Sequence, residues 1–159
     1  MKIVIHAIGH LKETHWKAAE AEYLKRLQPY ASTEVREYDD FPSSPKASLA
    51  DETKVKEREC EQILRHLKPS DFVVILDLGH EELTSEELSE SLMRWFAVSG
   101  AAIHFVVGGS LGLSDEMKRR ANARLCLSKL TFPHQLARIV LLEQLYRSFR
   151  IARNEPYHK

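Results

Sequence analysis

Four short apolar runs, rich in β-branched residues and separated by helical patterns, constrain this chain more than any other feature of its sequence. "KIVIHAI" at 2–8, "DFVVILDL" at 71–78, "AAIHFVV" at 101–107 and "ARLCL" at 123–127 have the length and composition of strands, and "TEVREY" at 33–38 is a weaker, edge-like fifth. Strands this continuously apolar leave no face for solvent. Their alternation with helices implies an α/β fold, a mostly parallel sheet with helices on both faces. The first helix carries Trp16, Ala19, Tyr23, Leu24 and Leu27 on one stripe, and a later one carries Leu88, Leu92, Trp95 and Phe96 behind a Thr84/Glu87 capping box. Ser114, followed by Asp115 and Glu116, opens a short helix with negative charge where the macrodipole favours it.

At 159 residues, 43% of them hydrophobic, the chain is expected to fold as one domain over 1–159 without help from disulfides or metal. No stretch approaches the roughly 20 apolar residues that span a bilayer, and "MKIVIHAIGH" runs directly into a helical pattern with no cleavage site. Cys60 and Cys126 lie in unrelated segments without CxxC spacing, which suits a reducing compartment. A soluble, unprocessed, cytoplasmic protein is expected. No metal is expected either, because the eight histidines are scattered and His80-Glu81-Glu82 lacks ligand spacing with any partner. "DDFPSSPKAS" is the most loop-like segment, too short to divide domains but long enough to move over a site.

Formal net charge is zero, yet its distribution is uneven. Residues 1–114 carry 13 Lys/Arg against 19 Asp/Glu, while residues 115–159 carry 10 against 4. The C-terminal third is therefore the candidate anion-facing surface. Lys118, Arg119 and Arg120 read as the solvated face of one helix.

Ligands of open α/β sheets bind beyond the carboxyl ends of strands, so the turns there matter most. After Val107 comes "GGSLGL", in which Gly108 and Gly109 are expected to admit close backbone approach and positive φ. This is not GxGxxG, it follows a late strand, and no acidic residue ends a following strand, so a dinucleotide site is disfavoured; a P-loop Lys-Ser/Thr pair is also missing. The second turn is "LDLGHEEL" and the third "LSKLTFPHQLAR", where Pro133 stands near a helix start and His134 reads as a hydrogen-bonding helix-start residue. In the long helix that follows, Leu136, Ile139, Val140, Leu141, Leu142, Leu145, Tyr146 and Phe149 cover too wide an arc for one buried face. A second copy of the chain, related by a two-fold axis, is the economical cover; the alternative is a helix sunk between sheet and neighbouring helices.

"GGSLGL", "LSKLTFPHQLARIVLLEQLYRSFRI" and the terminal "NEPYHK", with the N-terminal "MKI…AIGHLKETHW…EYLKRL", resemble the ribosomal large subunit pseudouridine methyltransferase H family, of the SPOUT class. The resemblance covers essentially the whole chain. It implies a C-terminal deep trefoil knot, a homodimer, and methylation of N3 of a pseudouridine in large-subunit (23S) ribosomal RNA with S-adenosylmethionine as donor. It also implies a cofactor pocket made of Leu76, Gly108, Leu127, Ser128, Lys129, Leu130, Thr131 and Phe132, which lie in the same three turns. Ser110-Leu111 stands where other members often carry Pro-Glu. A loop working through backbone groups tolerates that change, but no acidic side chain there can have a role.

Transfer from an activated donor asks the protein mainly for positioning, with help in removing the N3 proton. Glu143 and His158 are the candidate bases; Glu143 also suits an i,i+4 helix-surface pair with Arg147. Arg147, Arg153, Tyr157 and His158 are the candidate RNA contacts, guanidinium forks for phosphate and rings for a splayed base. The resemblance implies ribosomal RNA as the partner, as free RNA, in the large subunit or in the assembled ribosome. Two other readings fit the same residues: a different nucleotide-binding α/β enzyme, and a non-catalytic ribosome-binding module.

Overall fold

The computed structural model describes residues 1–100 and 102–157. Strands β1 (Lys2–Ile8), β2 (Ser32–Tyr38), β3 (Phe72–Leu76), β4 (Ala102–Val107) and β5 (Ala123–Leu125) form one sheet in the order β2-β1-β4-β3-β5, with every pair parallel. Helices α1 (Thr14–Leu27), α2 (Leu49–Leu64), α3 (Ser85–Ser99), α4 (Asp115–Arg120) and α5 (His134–Ala152) cover both faces. The polar run at 33–38 is an edge strand, as its composition implies, while the four apolar runs pair internally or end against β3. The last is shorter than its sequence suggests: after Leu125 the ladder gives way to a single bridge between Glu82 and Cys126.

Period-two alternation divides the core. Ile3, Ile5, Ala7, Val74, Ile103, Phe105 and Val107 face α1, α3 and α5, while Ile8, Val73, Ile75 and Val106 face α2 and α4. Three helices start on side-chain caps that satisfy otherwise orphaned N–H groups. Thr84 with Glu87, and Ser48 with Asp51, form reciprocal capping boxes, and the Ser114 hydroxyl accepts from Met117 N–H at 3.2 Å. The segment 39–48 has no helix or strand.

The wide apolar arc of α5 is covered within the chain. Leu141, Leu142 and Leu145 are 0% exposed, and Phe149 stacks on Tyr30 and tilts against Phe96. Of the two covers expected for this arc, α1, α3 and the sheet account for Ile139, Leu141, Leu142, Leu145 and Phe149, while Tyr146 is only half-buried. Leu136 and Val140, one turn apart, remain half-buried on α5.

Candidate functional site

The sheet order places the ends of β4, β3 and β5 side by side, and the three turns converge on one cleft of about 670 Å³. Leu76, Val107, Leu113, Leu125 and Leu127 give it apolar walls, and the glycine turn 108–112 with Ser128 and Thr131 brings polar groups to its edges. That mixture of apolar wall and few placed polar groups, at about this volume, is typical of small-molecule sites. Leu76, Gly108, Leu127, Ser128, Leu130, Thr131 and Phe132 all line it. Lys129 does not: its N–H donates to Glu82 Oε1 at 2.7 Å, and its ammonium stands 3.9 Å from Glu82 Oε2. Glu82 thus ties the loop after β3 to the loop after β5. Pro133 is the N-cap of α5, and His134 and Ala137 complete the wall.

The glycine turn is shaped by its own packing. Neither Gly108 nor Gly109 has positive φ; Gly112 does, at +86°, where the turn reverses. A Cβ on Gly108 would stand 3.0 Å from the Leu113 side chain and 3.2 Å from Gly112 backbone. One on Gly109 would stand 2.7 Å from Glu59 Oε2. The expectation of left-handed backbone at these two positions is therefore corrected; the chain's own packing requires glycine there, and both glycines line the cleft.

Glu59 was not legible as important. It is buried on α2, accepts the Phe41 N–H at 2.9 Å, and so joins the 39–48 segment to the glycine turn; burial pushes its carboxyl above the usual range. His134 also differs from expectation. Its ring packs over Gly9 (φ +93°), Nε2 has no hydrogen-bond partner, and burial lowers its pKa.

The other candidate residues lie along the second half of α5 and beyond it. The helix runs 19 residues from His134 to Ala152, about 27 Å at 1.5 Å per residue, with Glu143 at its midpoint. There Glu143 accepts from Arg147 Nη2 at 2.6 Å, from Gln144 at 2.7 Å and from Tyr157 OH at 3.1 Å. Arg147 lies 4.7 Å over the Tyr157 ring, and Arg153 lies 4.5 Å over Tyr30. Arg150 pairs with Glu155 at 2.7 Å, and Tyr30 OH donates to Glu155 as well. Residues 153–157 are thus docked against α5 and Tyr30 in the turn after α1, with Asn154 (φ +53°) making the turn. His158 lies outside the described residues. Glu143 does not line the cleft of its own chain.

Among the described residues no group of His, Cys, Asp or Glu is arranged to hold a metal ion, and no helix is long and apolar enough to cross a membrane. Residues 1–158 match a family model described as "Predicted SPOUT methyltransferase". Relatives named ribosomal RNA large subunit methyltransferase H from Ruminiclostridium cellulolyticum and Clostridium acetobutylicum are 46% and 48% identical over the full length of both chains. A Clostridium perfringens protein named ribosomal RNA large subunit methyltransferase H 1 is 46% identical over the same span. A full-length match at this identity, on a parallel sheet whose strand-end turns form one cleft, makes this chain a member of the SPOUT methyltransferase family, in the group named ribosomal RNA large subunit methyltransferase H.

Proposed function

We propose that this protein transfers a methyl group from S-adenosylmethionine to N3 of a pseudouridine in large-subunit ribosomal RNA, acting in the cytoplasm as a homodimer. The observation that carries the reading is the convergence of all three strand-end turns on one cleft. Its apolar walls suit an adenine ring, and Ser128, Thr131 and the glycine turn offer polar groups at its edge. When bound, the cofactor supplies an already activated methyl group.

The chain's own residues bind and orient. Leu76, Leu125 and Leu127 exclude water from one wall, and the Glu82 link holds the 127–132 loop in place. Gly108 lets the glycine turn fold back on Leu113, which closes the other wall.

A two-fold dimer is supported by distance. The cleft sits at the N-terminal end of α5, whereas the tail leaves its C-terminal end and Tyr157 folds back onto Glu143, Tyr146 and Arg147, about 14 to 20 Å along the helix from His134. A second copy, antiparallel to the first, brings its tail to the first copy's cleft, and the half-buried Leu136 and Val140 offer it a narrow apolar stripe. Glu143 and Arg147 then serve to orient Tyr157 for the partner's site.

Calorimetric titration with S-adenosylhomocysteine tests the cofactor reading. Thr131 is exposed and lines the cleft, so Thr131→Trp fills the cavity without touching the core. We expect wild type to bind and the variant to lose at least about tenfold in affinity (~1.4 kcal/mol) with unchanged melting temperature. Wild type that binds simple nucleotides but not S-adenosylhomocysteine would overturn it.

A further inference from the structure

The positive charge of the C-terminal third is largely committed. Arg138 pairs with Glu20 and Glu37, Arg147 with Glu143, Arg150 with Glu155 and Arg124 with Asp77, while Arg120 donates to the carbonyls of Lys68 and Asp71. Two lysines differ. Lys56 on α2 and Lys118 on α4 both line the cleft, are half-buried, and have no hydrogen-bond or ion-pair partner among the described residues.

The local structure explains their place. The Ser114 N–H donates to Cys60 Sγ at 3.3 Å, which joins the inward face of α2 to the start of α4 beside the glycine turn. Lys56 is one turn before Cys60, and Lys118 is one turn after Ser114, next to the fully buried Met117. Half-buried lysines of this kind bury an aliphatic stem and keep the ammonium toward water, here at the edge of the cleft that both line. The loops after β3 and β5 contribute Leu78 and Leu130 to the same cleft, 57% and 71% exposed. The mouth therefore combines exposed apolar surface with two uncommitted cations. A single nucleotide has the matching halves, a ring with apolar faces and an anionic phosphate.

We propose that Lys56 and Lys118 grip the RNA backbone at the phosphates flanking the nucleotide that enters the cleft. The proposal rests on the functional reading above, because it needs an RNA substrate. Ammonium groups act on phosphate as point charges and need no fixed fork geometry, so two lysines suffice where the strand must slide into register. A carboxylate at the cofactor's amino-acid end is also an anion, and the experiment separates it from phosphate.

Full-length wild type, Lys56→Ala/Lys118→Ala and Lys56→Arg/Lys118→Arg are compared for binding to large ribosomal subunits with an unmethylated target. S-adenosylhomocysteine and 5′-methylthioadenosine are titrated in parallel, and circular dichroism confirms the fold. Each phosphate contact contributes about 0.7 to 0.9 to the salt slope, so the advantage of wild type over the alanine variant should narrow roughly tenfold between about 50 and 200 mM salt. The arginine variant should keep the wild-type slope, and S-adenosylhomocysteine affinity should be the same in all three. An alanine variant with the wild-type salt slope overturns the proposal. So does a loss of S-adenosylhomocysteine affinity with methylthioadenosine unaffected, which assigns the lysines to the cofactor carboxylate. Wild type that binds neither subunits nor S-adenosylhomocysteine removes the functional reading itself.

Discussion

His6 is 0% exposed, with Nδ1 2.8 Å from Tyr38 OH and Nε2 3.0 Å from His104 Nδ1; His104 in turn lies 3.7 Å from Asp71. Burial, followed by the nearby His104, Arg36 and His66 charges, lowers the His6 pKa from 6.5 to about 3, against a smaller opposing pull from Asp71. The folded state therefore excludes a proton that the unfolded chain accepts. Stability contributed by neutral His6 is fully present above pH 6.5 and is lost as pH falls from there toward 3, by about 2 kcal/mol at pH 5. Chemical denaturation of His6→Gln at pH 7 and pH 5 checks this: the variant should lose less stability on acidification than wild type. An equal loss would place the sensitivity elsewhere. Residue roles of this kind were hidden from the sequence, where His6 and His104 are two polar letters inside apolar runs. Glu59 was hidden for the same reason, since a buried carboxylate under Gly109 looks like any other acid of a polar helix.

At the level of elements, the strands were legible because parallel strands buried on both faces need continuous apolar runs. The capped helices α3 and α4 were legible from their first turns. Helix α2 was not singled out. Its inward face consists of Glu59, Cys60 and Ile63, so a carboxylate and a thiol interrupt the apolar stripe that would have marked it. For α5 the arc was legible but its cover was not, because periodicity counts apolar positions without saying which neighbour meets them. That distinction is measurable. Leu142 is 0% exposed in the single chain, so Leu142→Glu should cost about 4 kcal/mol or more and unfold the protein. Val140→Glu, on the half-buried stripe, should cost about 1 kcal/mol or less in the monomer and act instead on association. Sedimentation and thermal melts of both variants give the comparison; a folded Leu142→Glu monomer would show that the arc faces a partner after all.

The turns that form the cleft could be picked out one by one, but their convergence depends on the strand order β2-β1-β4-β3-β5, which no single segment encodes. The same holds for the whole assembly. The tail leaves the far end of α5 and its Tyr157 folds back only onto Glu143, Tyr146 and Arg147, none of which lines the cleft, so the proposed reaction uses the cleft of one chain and the tail of another. Complementation tests this without any structure of a dimer. Thr131→Trp blocks the cleft and leaves the tail intact, whereas Arg153→Ala/Tyr157→Ala impairs the tail and leaves the cleft intact. Each variant alone should be inactive on ribosomal subunits. Mixed in equal amounts and allowed to exchange, half of the dimers pair one variant with the other, and each such dimer holds one site with both parts sound. About one quarter of wild-type activity should return. If each chain instead used its own tail, every site in the mixture would lack one part, and methyl transfer would stay at the level of the separate variants.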